Sequence, residues 1–306
     1  MNMYKNAVVF PGQGSQSVGM LSDVFAEYAV AQETLAQADE VLGFKISDLI
    51  LNGPAEELNS TNNTQPALVA VEVALWRAMN GAFAADVMAG HSLGEYSALV
   101  CAGALSFEDA LLLVRRRGEL MQIAVPNGVG AMAAILGMED NKVEEICVQS
   151  AQGQVVQAAN YNSPGQLVIA GNKEAVERAV DACKENGAKR AMLLPVSGPF
   201  HSALMAPAAD EFAQFLEGFD VKNPSVPVLQ NATNTFEQDA QQIRLNLVKQ
   251  IASPVRWTQS VLQLADKGVE NLVEVGPGKV LTGLNKRIAK QLNSQTVNSV
   301  STLQAL

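Results

Sequence analysis

Short runs of apolar residues alternate along the chain with longer segments in which apolar positions recur every three to four residues. The short runs are the pattern of buried strands, and the longer segments are that of amphipathic helices. Their alternation is typical of α/β proteins with a mostly parallel sheet, and we predict this fold class. The predicted strands outside the middle of the chain are 7–10, 85–89, 226–229 and 272–275. The predicted helices are 66–79 (N-cap Asn63 or Thr64, Pro66 in the first turn), 94–102, 106–121 and one from Lys279.

The middle of the chain has smaller elements in a distinctive order. The composition changes after Pro126-Asn127-Gly128, and the predicted elements then follow as strand, helix, strand, strand, helix and strand: 131–136, 140–150, 154–159, 166–170, 173–186 and 190–194. This βαββαβ order is that of ferredoxin-like units. We therefore predict a large domain, 1–126 and 198–306, and a smaller inserted ferredoxin-like subdomain, 127–197. The last dozen residues are polar, and we predict that they are poorly ordered.

The composition excludes several classes of protein. Hydrophobic residues make up 48% of the 306 residues and charged residues 17%, which favours a packed core over disorder. The net charge of −10 argues against nucleic-acid binding, although one local cation would suffice for an anionic substrate. No run approaches the ~20 apolar residues of a membrane helix, and the run 7–10 is too short for a signal peptide. We predict a cytoplasmic protein that binds neither nucleic acid nor membrane.

The cysteines do not indicate a metal site or a disulfide. Cys101, Cys147 and Cys183 are an odd number and lack CxxC spacing. We therefore predict a protein without zinc or another metal ion.

The pentapeptide Gly90-His91-Ser92-Leu93-Gly94 lies between a predicted strand and a predicted helix. It matches G-x-S-x-G, the sharp turn in which a serine is exposed as a nucleophile and the glycines relieve the crowding around it. The N–H groups at the start of the following helix would favour an oxyanion formed on attack. The alternative is a glycine-rich loop with an unreactive serine, and the pentapeptide alone does not decide between the two.

A nucleophilic serine needs a base, and the chain has only two histidines. His91 neighbours Ser92, so on a strained turn its side chain should point elsewhere and serve a supporting role. His201 follows Gly198-Pro199-Phe200, which predicts a loop, where catalytic groups often lie. A loop histidine without a catalytic role is the alternative for His201, but with Ser92 as the nucleophile it is the remaining candidate for the base.

Six motifs in order carry a resemblance to a known family. They are 10–16 (FPGQGSQ), 90–96 (GHSLGEY), Arg117-Gly118 with Met121-Gln122, 162–166 (NSPGQ), 198–202 (GPFHS) and 274–278 (EVGPG). Together they resemble the malonyl-CoA:acyl-carrier-protein transacylase family, and the acyltransferase domains of polyketide and animal fatty acid synthases are similar. The resemblance runs from about residue 7 to 290. It implies an α/β-hydrolase-like large domain with the inserted small subdomain, and an active site in the cleft between them.

The resemblance also implies the catalytic residues. Ser92 would be acylated and His201 would be its base. The backbone carbonyl of Gln250, rather than an acidic side chain, would orient His201. The N–H groups of Gln13 and Leu93 would form the oxyanion hole.

The resemblance implies the acyl-binding residues as well. Arg117 would bind the free carboxylate of the malonyl group, for which the planar guanidinium offers two parallel hydrogen bonds. Phe200 matches the malonyl-selective members, and Met121 would also contact the substrate. Arg115 and Arg116 precede Arg117 on a predicted helix, and at ~100° per residue they should meet solvent instead.

The activity that the resemblance implies is a ping-pong transfer. The malonyl group would pass from malonyl-CoA through Ser92 to the phosphopantetheine thiol of holo-acyl carrier protein, for fatty acid biosynthesis and without a cofactor. We expect a monomer. Since both carrier and chain are acidic, docking needs local cations, and the candidates are Lys189, Arg190, Lys279, Lys286, Arg287 and Lys290, for which a solvated charged surface is the alternative.

Two other functions stay open on the sequence. A serine hydrolase would share Ser92 and His201 but would usually place an acid such as Asp109 or Asp140 behind the histidine, and it has no need of Arg117. A non-catalytic module that binds acyl thioesters or carriers would form no covalent adduct on the serine.

Overall fold

A computed structural model describes residues 4–196 and 198–306 and contains two separate sheets. The strands are β1 (Asn6–Phe10), β2 (Val87–Gly90), β3 (Gly130–Leu136), β4 (Val156–Ser163), β5 (Gln166–Asn172), β6 (Arg190–Leu193), β7 (Val228–Leu229), β8 (Phe236–Glu237), β9 (Asn271–Val275) and β10 (Asn293–Val297). The first seven α-helices are α1 (Ser22–Glu27), α2 (Ala29–Leu42), α3 (Ile46–Asn52), α4 (Ala55–Leu58), α5 (Thr61–Met79), α6 (Gly94–Cys101) and α7 (Phe107–Ile123). The others are α8 (Asp140–Ala151), α9 (Lys173–Glu185), α10 (Ala206–Leu216), α11 (Ala240–Ile251), α12 (Trp257–Asp266), α13 (Val280–Ile288) and α14 (Val300–Gln304). A 3-10 turn, Ala203–Met205, precedes α10.

The large sheet has the order β10-β9-β1-β2-β7-β8 and is parallel except for β8, which pairs antiparallel with β7. Strand β1 lies near its centre, and its last four residues are fully buried. Val8 and Phe10 pack into the core on one face, whereas Ala7 and Val9 pack into the core on the other. A strand covered on both faces is continuously apolar, so the predicted α/β fold with a mostly parallel sheet is confirmed.

The second sheet is antiparallel, with the order β4-β5-β3-β6. Helices α8 and α9 pack on it around a separate core that includes Ile135, Leu167 and Val176. The chain order βαββαβ and this strand order give the ferredoxin-like unit that the sequence predicts. The boundaries at 126/127 and 197/198 stay predictions, and residue 197 lies outside the described residues.

Helix α5 begins earlier than the sequence predicts. Ser60 is the N-cap, so Pro66 lies inside the helix rather than in its first turn. Pro66 has no N–H to donate to the carbonyl of Asn62, one turn back. That carbonyl accepts a hydrogen bond from Arg115 instead (3.1 Å), which explains why the helix tolerates the proline.

The end of the chain is more regular than predicted. Strand β10 pairs in parallel with β9 at the edge of the large sheet, and α14 follows it with a capping box at Ser299 and Thr302. The prediction of poor order for the last dozen residues is therefore wrong. Strand β10 lacks the continuous apolar run by which we identified the central strands, because its side chains alternate between exposed and buried positions.

Backbone hydrogen bonds tie the small sheet to the large domain. Val255, between α11 and α12, donates to the carbonyl of Ala159 in β4 and accepts from the N–H of Tyr161 (2.8 and 2.9 Å). Thr258 donates to the carbonyl of Tyr161 at 3.1 Å. Strand β4 is therefore hydrogen-bonded both to β5 in the small sheet and to Val255 in the large domain. Within the described ranges, no helix is long and apolar enough to cross a membrane.

Candidate active site

Ser92 lies on the turn between β2 and α6, at the carboxyl end of the parallel sheet. Its φ is 52°, in the left-handed region that is costly for a residue with a side chain. A Cβ on Gly90 would lie 1.9 Å from the carbonyl carbon of Gly94, and one on Gly94 would lie 2.1 Å from the carbonyl oxygen of Phe10. The turn is therefore too tight for any other residue at either glycine, as predicted for a serine that is pushed out of the sheet.

His201 reaches Ser92 from the loop after β6. Its Nε2 lies 2.7 Å from the Ser92 Oγ, within hydrogen-bond distance. Its Nδ1 contacts the carbonyl oxygens of Gln250 (3.0 Å) and Ser253 (3.1 Å). Because carbonyls only accept, Nδ1 carries the proton and Nε2 is free to accept one from Ser92. The Gln250 carbonyl lies where the family resemblance implies, whereas the contact with the Ser253 carbonyl was not expected.

The imidazole of His201 is buried and stays neutral. Burial is the largest cause that lowers the pKa of His201, to about 3, and the charge of Arg117 lowers it further. The Gln250 carbonyl acts in the opposite direction. No carboxylate bonds to this histidine among the residues that the structure describes, so Asp109 and Asp140 do not hold the place that a hydrolase triad would give them.

Arg117 points from α7 into the cleft and is 1% exposed. Its Nη1 donates to the side-chain oxygen of Gln65 (2.9 Å), and its Nη2 donates to that of Gln250 (2.9 Å) and to the Ser92 Oγ (3.1 Å). The guanidinium also lies 5.6 Å from the ring centre of Tyr96. All these partners are neutral, so within the described chain Arg117 is a buried cation without a salt bridge, although the nearby buried Glu95 interacts with it electrostatically.

The two neighbouring arginines lie nearer the surface. Arg115 pairs with Glu119 at 3.1 Å and bonds to Asn63, and Arg116 pairs with Glu119 and Glu211. Of the three consecutive arginines, only Arg117 therefore reaches Ser92, which is the orientation that the sequence predicts.

The side chain of Gln250 has a role that the sequence did not reveal. Besides accepting from Arg117, it donates from Nε2 to the backbone carbonyl of Ser92 at 3.0 Å. That carbonyl and the N–H of Leu93 are the two ends of one planar peptide group. Gln250 therefore fixes the direction of the Leu93 N–H as well as the positions of His201 and Arg117.

The predicted oxyanion donors come from adjacent strands. Gln13 follows β1 and Leu93 follows β2, and these strands pair in parallel. Both residues line the cavity beside Ser92. Over the residues that the structure describes, neither backbone N–H has a hydrogen-bond acceptor within the protein.

The cavity beside Ser92 has a volume of about 240 Å³ and lies between the two sheets. Phe200 and Met121, both predicted substrate contacts, line it together with Met132, Val168 and Leu194. A second cavity of about 150 Å³ shares Gln13, His91 and Asn162 with the first and extends toward α13.

His91 turns away from the nucleophile. Its Nε2 lies 2.9 Å from the side-chain oxygen of Asn162, and its ring lies against Trp257. Burial lowers the pKa of His91. It therefore contacts neither Ser92 nor the base, in agreement with the supporting role expected.

Two further residues near Ser92 were missed. The side chain of Asn231 bonds to the nucleophile turn, and Glu95 accepts from the Asn231 backbone N–H. Glu95 was visible in the sequence as part of the 90–96 motif, but Asn231 lies 139 residues from Ser92 and no local pattern marks it. No cluster of three or more His, Cys, Asp or Glu in the described residues could hold a metal ion.

The docking candidates fall into two groups around the β4–β5 turn. Lys189 lies on one side of this turn, because its side chain packs against Gly137, where an added Cβ would lie 2.5 Å from it. The N–H of Gly137 in turn donates to the carbonyl of Gly165 in the turn. Arg287 donates to Gln166 on its other side at 3.1 Å. The residues Lys189, Arg190, Lys286 and Arg287 are exposed and are called the basic patch below.

Two of the docking candidates do not lie on the predicted helix. Lys279 is the N-cap of α13, and Lys290 lies beyond the helix end at Ile288. Glu274 accepts hydrogen bonds from the N–H groups of Leu281 and Thr282 in the first turn of α13.

Comparison with known proteins identifies the family. Residues 7–305 match the family described as the acyl transferase domain. The malonyl CoA-acyl carrier protein transacylase of Salmonella typhimurium is 55% identical over 305 residues, 99% of each chain, and that of Bacillus subtilis is 46% identical over 99% of this chain and 96% of its own.

Solved structures agree with this. An acyl carrier protein S-malonyltransferase from Vibrio cholerae has a TM-score of 0.96 at 55% identity, covering 98% of this chain and 99% of its own. A malonyl-transacylase solved in complex with a holo type II polyketide acyl carrier protein has a TM-score of 0.96 at 53% identity, covering 98% of each chain. The chain therefore belongs to the malonyl CoA-acyl carrier protein transacylases, within the acyl transferase family.

Proposed function

We propose that the protein transfers the malonyl group from malonyl-CoA to the phosphopantetheine thiol of an acyl carrier protein, through a malonyl ester on Ser92. The observation that carries this is the buried, unpaired charge of Arg117, 3.1 Å from the Ser92 Oγ. The hydrogen-bond acceptors of Arg117 are the neutral side chains of Gln65, Gln250 and Ser92. The buried Glu95 interacts with it electrostatically but forms no ion pair with it among the described residues, so the charge of Arg117 is available for a ligand anion. An acyl group with a free carboxylate supplies that anion, whereas acetyl does not.

The first half-reaction forms the ester. Ser92 gives its proton to Nε2 of His201 while Oγ attacks the thioester carbon, and the charge on the carbonyl oxygen is stabilised by the N–H groups of Gln13 and Leu93. The tetrahedral intermediate collapses with cleavage of the carbon–sulfur bond. The coenzyme A sulfur leaves and takes the proton from His201, which restores the neutral imidazole.

The second half-reaction reverses these steps with another thiol. The carrier thiol gives its proton to His201 and attacks the ester carbon of malonyl-Ser92. The carbon–oxygen bond then breaks, and Ser92 recovers the proton from His201. The backbone partners of the His201 Nδ1 support this thiol exchange over a hydrolase triad, in which an acid would hold that nitrogen.

The decisive experiment is to detect the ester. Incubation with malonyl-CoA should add one malonyl group to the peptide that contains Ser92, as measured by mass spectrometry, and holo-carrier should then remove it. Ser92→Ala should give no adduct. An adduct that persists in this variant, or no adduct in the wild type, would reject the mechanism, and loss of the ester to water faster than to the carrier would favour a hydrolase.

We further propose that the basic patch receives the acidic carrier. Its support is the position of its two groups on either side of one hairpin turn, at the face where the second cavity opens toward α13. Reversal of all four charges to Glu should lower kcat/KM for the carrier by at least about tenfold, since surface cations act mainly on association. Acylation by malonyl-CoA should stay unchanged. Lys5→Glu is the matched control, because Lys5 precedes β1 at the opposite end of the sheet.

The remaining parts of the proposal concern the setting. We propose that the protein acts as a monomer in the cytoplasm, without cofactor or metal, and supplies malonyl carrier for fatty acid biosynthesis. Light scattering after gel filtration tests the oligomeric state. Activity that survives exhaustive chelation would support the absence of a metal.

A further inference from the structure

The nucleophile turn carries strain that its own residues do not relieve. Ser92 has a φ of 52°, and its Oγ must stay within reach of both His201 (2.7 Å) and Arg117 (3.1 Å). Because Oγ is one torsion from the backbone, rotation of either peptide group that flanks Ser92 would move it. The function proposed above, on which this inference rests, requires that these peptide groups be held.

Asn231 holds the two peptide groups that precede the Ser92 Cα. Its side-chain oxygen accepts from the N–H of Ser92 at 2.6 Å, and its side-chain N–H donates to the carbonyl of Gly90 at 2.7 Å. Asn231 is 1% exposed, so water does not compete for these groups. An amide side chain offers an acceptor and a donor on one planar group without depending on pH.

Asn231 is itself fixed by the helix that the turn begins. Its backbone N–H donates to a carboxylate oxygen of Glu95 at 2.7 Å, and Glu95 lies in the first turn of α6, three residues after Ser92. The contacts therefore form a closed ring from Ser92 through Asn231 to Glu95 and back along the chain. Burial raises the pKa of Glu95 to about 7, so the ring contains a titrating group.

We propose that Asn231, anchored by Glu95, is a positioning residue that holds Ser92 in its strained, reactive conformation. Asn231 lines neither cavity, and the hydrogen-bond partners of His201 are other residues. Its loss should therefore lower the rate of acylation without changing acyl selectivity, whereas loss of Arg117 should change selectivity.

The first test is Asn231→Leu, which keeps the size of the side chain and removes both hydrogen bonds. We expect kcat for malonyl transfer to fall about 100-fold, as for a small displacement of a reacting group. The KM for malonyl-CoA should change less than about threefold, and neutral acyl groups should lose the same factor. Gln230→Met is the matched control, because Gln230 is also fully buried in this segment but bonds weakly to Val228 and not to the turn.

The second test is Asn231→Asp, which has the same shape. An ionised carboxylate would repel the Gly90 carbonyl, but a protonated one restores the donor and the acceptor. Burial at this position raises the pKa of the introduced carboxyl above its ordinary value, so the ratio of its kcat to that of the wild type should rise as the pH is lowered. The charged or titratable groups nearby are Glu95 on α6, Arg117 on α7 and His201, and they are present in both proteins.

Three results would overturn the proposal. They are a kcat of Asn231→Leu within about threefold of the wild type, a Gln230→Met variant that loses as much rate at the same melting temperature, and a pH-independent ratio for Asn231→Asp. If Asn231→Leu does not fold, the pH-dependent ratio decides alone. Absence of any adduct on Ser92 in the wild type would instead reject the proposed function.

Discussion

The unpaired charge of Arg117 leads to a quantitative prediction for Arg117→Ala. The malonyl carboxylate would then be buried opposite the neutral side chains of Gln65 and Gln250. An uncompensated buried charge costs about 3–5 kcal/mol. At 1.36 kcal/mol per tenfold, kcat/KM for malonyl-CoA should fall by roughly 150- to 5,000-fold.

Acetyl-CoA should respond differently to Arg117→Ala. It has no carboxylate to lose a partner, so it forfeits only the neutral hydrogen bonds of Arg117, to the Ser92 Oγ and to Gln65 and Gln250. Removal of the charge also relieves one of the causes that lower the pKa of His201, which makes the base stronger. We therefore expect a loss of less than about tenfold in kcat/KM for acetyl-CoA.

The assay is single-turnover acylation of the purified protein with each thioester, followed by mass spectrometry. Arg116→Ala is the matched control, because Arg116 lies on the same helix and pairs with Glu119 and Glu211 instead of the cleft. Equal losses for malonyl and acetyl in Arg117→Ala would refute the reasoning, since a purely structural arginine would affect both alike. Arg116→Ala should leave the ratio of the two rates unchanged.

Further predictions concern the turn and the buried titrating groups. Gly90→Ala should give insoluble or inactive protein, because the added Cβ would lie 1.9 Å from Gly94; an active, folded variant would contradict the geometry. Gln250→Met should lower kcat by about 10- to 100-fold while the His201 carbonyl contact survives, and unchanged kcat would show that the side chain does not matter. The pKa of Glu95 is raised to about 7 in the folded protein, so as the pH rises the unfolded chain loses this proton at a lower pH than the folded one. The free energy of unfolding should therefore fall by about 3 kcal/mol as the pH rises from about 4.5 to 7. Urea unfolding of Glu95→Gln should lack this loss. Since the pKa of His201 is about 3, this histidine should give kcat/KM no acid limb near pH 6.5. Any limb there that arises from Glu95 should vanish in Glu95→Gln, and a limb that persists in this variant would contradict the neutral resting base.

The sequence predicts the parts of the fold that its apolar pattern specifies. The central strand β1 is buried on both faces and is a continuous apolar run, β9 is apolar apart from Asn271 and Glu274, and the βαββαβ order follows from regular spacing. We did not predict β10, because this edge strand is polar on one side and is stabilised by pairing with β9. Residues 22–58 form four helices that we did not predict.

The residues of the candidate site likewise divide into those that the sequence marks and those that it does not. Ser92 is marked by its own neighbours, and His201 by the scarcity of histidine, so both could be named from the chain alone. The carbonyl of Gln250, by contrast, came only from the family resemblance, because a backbone oxygen leaves no trace in residue types. Asn231 and the Ser253 carbonyl depend on contacts between distant segments, which one sequence does not encode locally.

The hydrogen bonds between β4 and Val255 have a consequence for protein engineering. Grafting the small subdomain of another acyltransferase onto this chain replaces β4, the pairing partner of the segment that follows α11. That segment also supplies the Ser253 carbonyl to His201. A chimera joined at 127 and 197 would therefore disturb the base of the recipient, and the transplanted module should include residues 251–258 from the same donor.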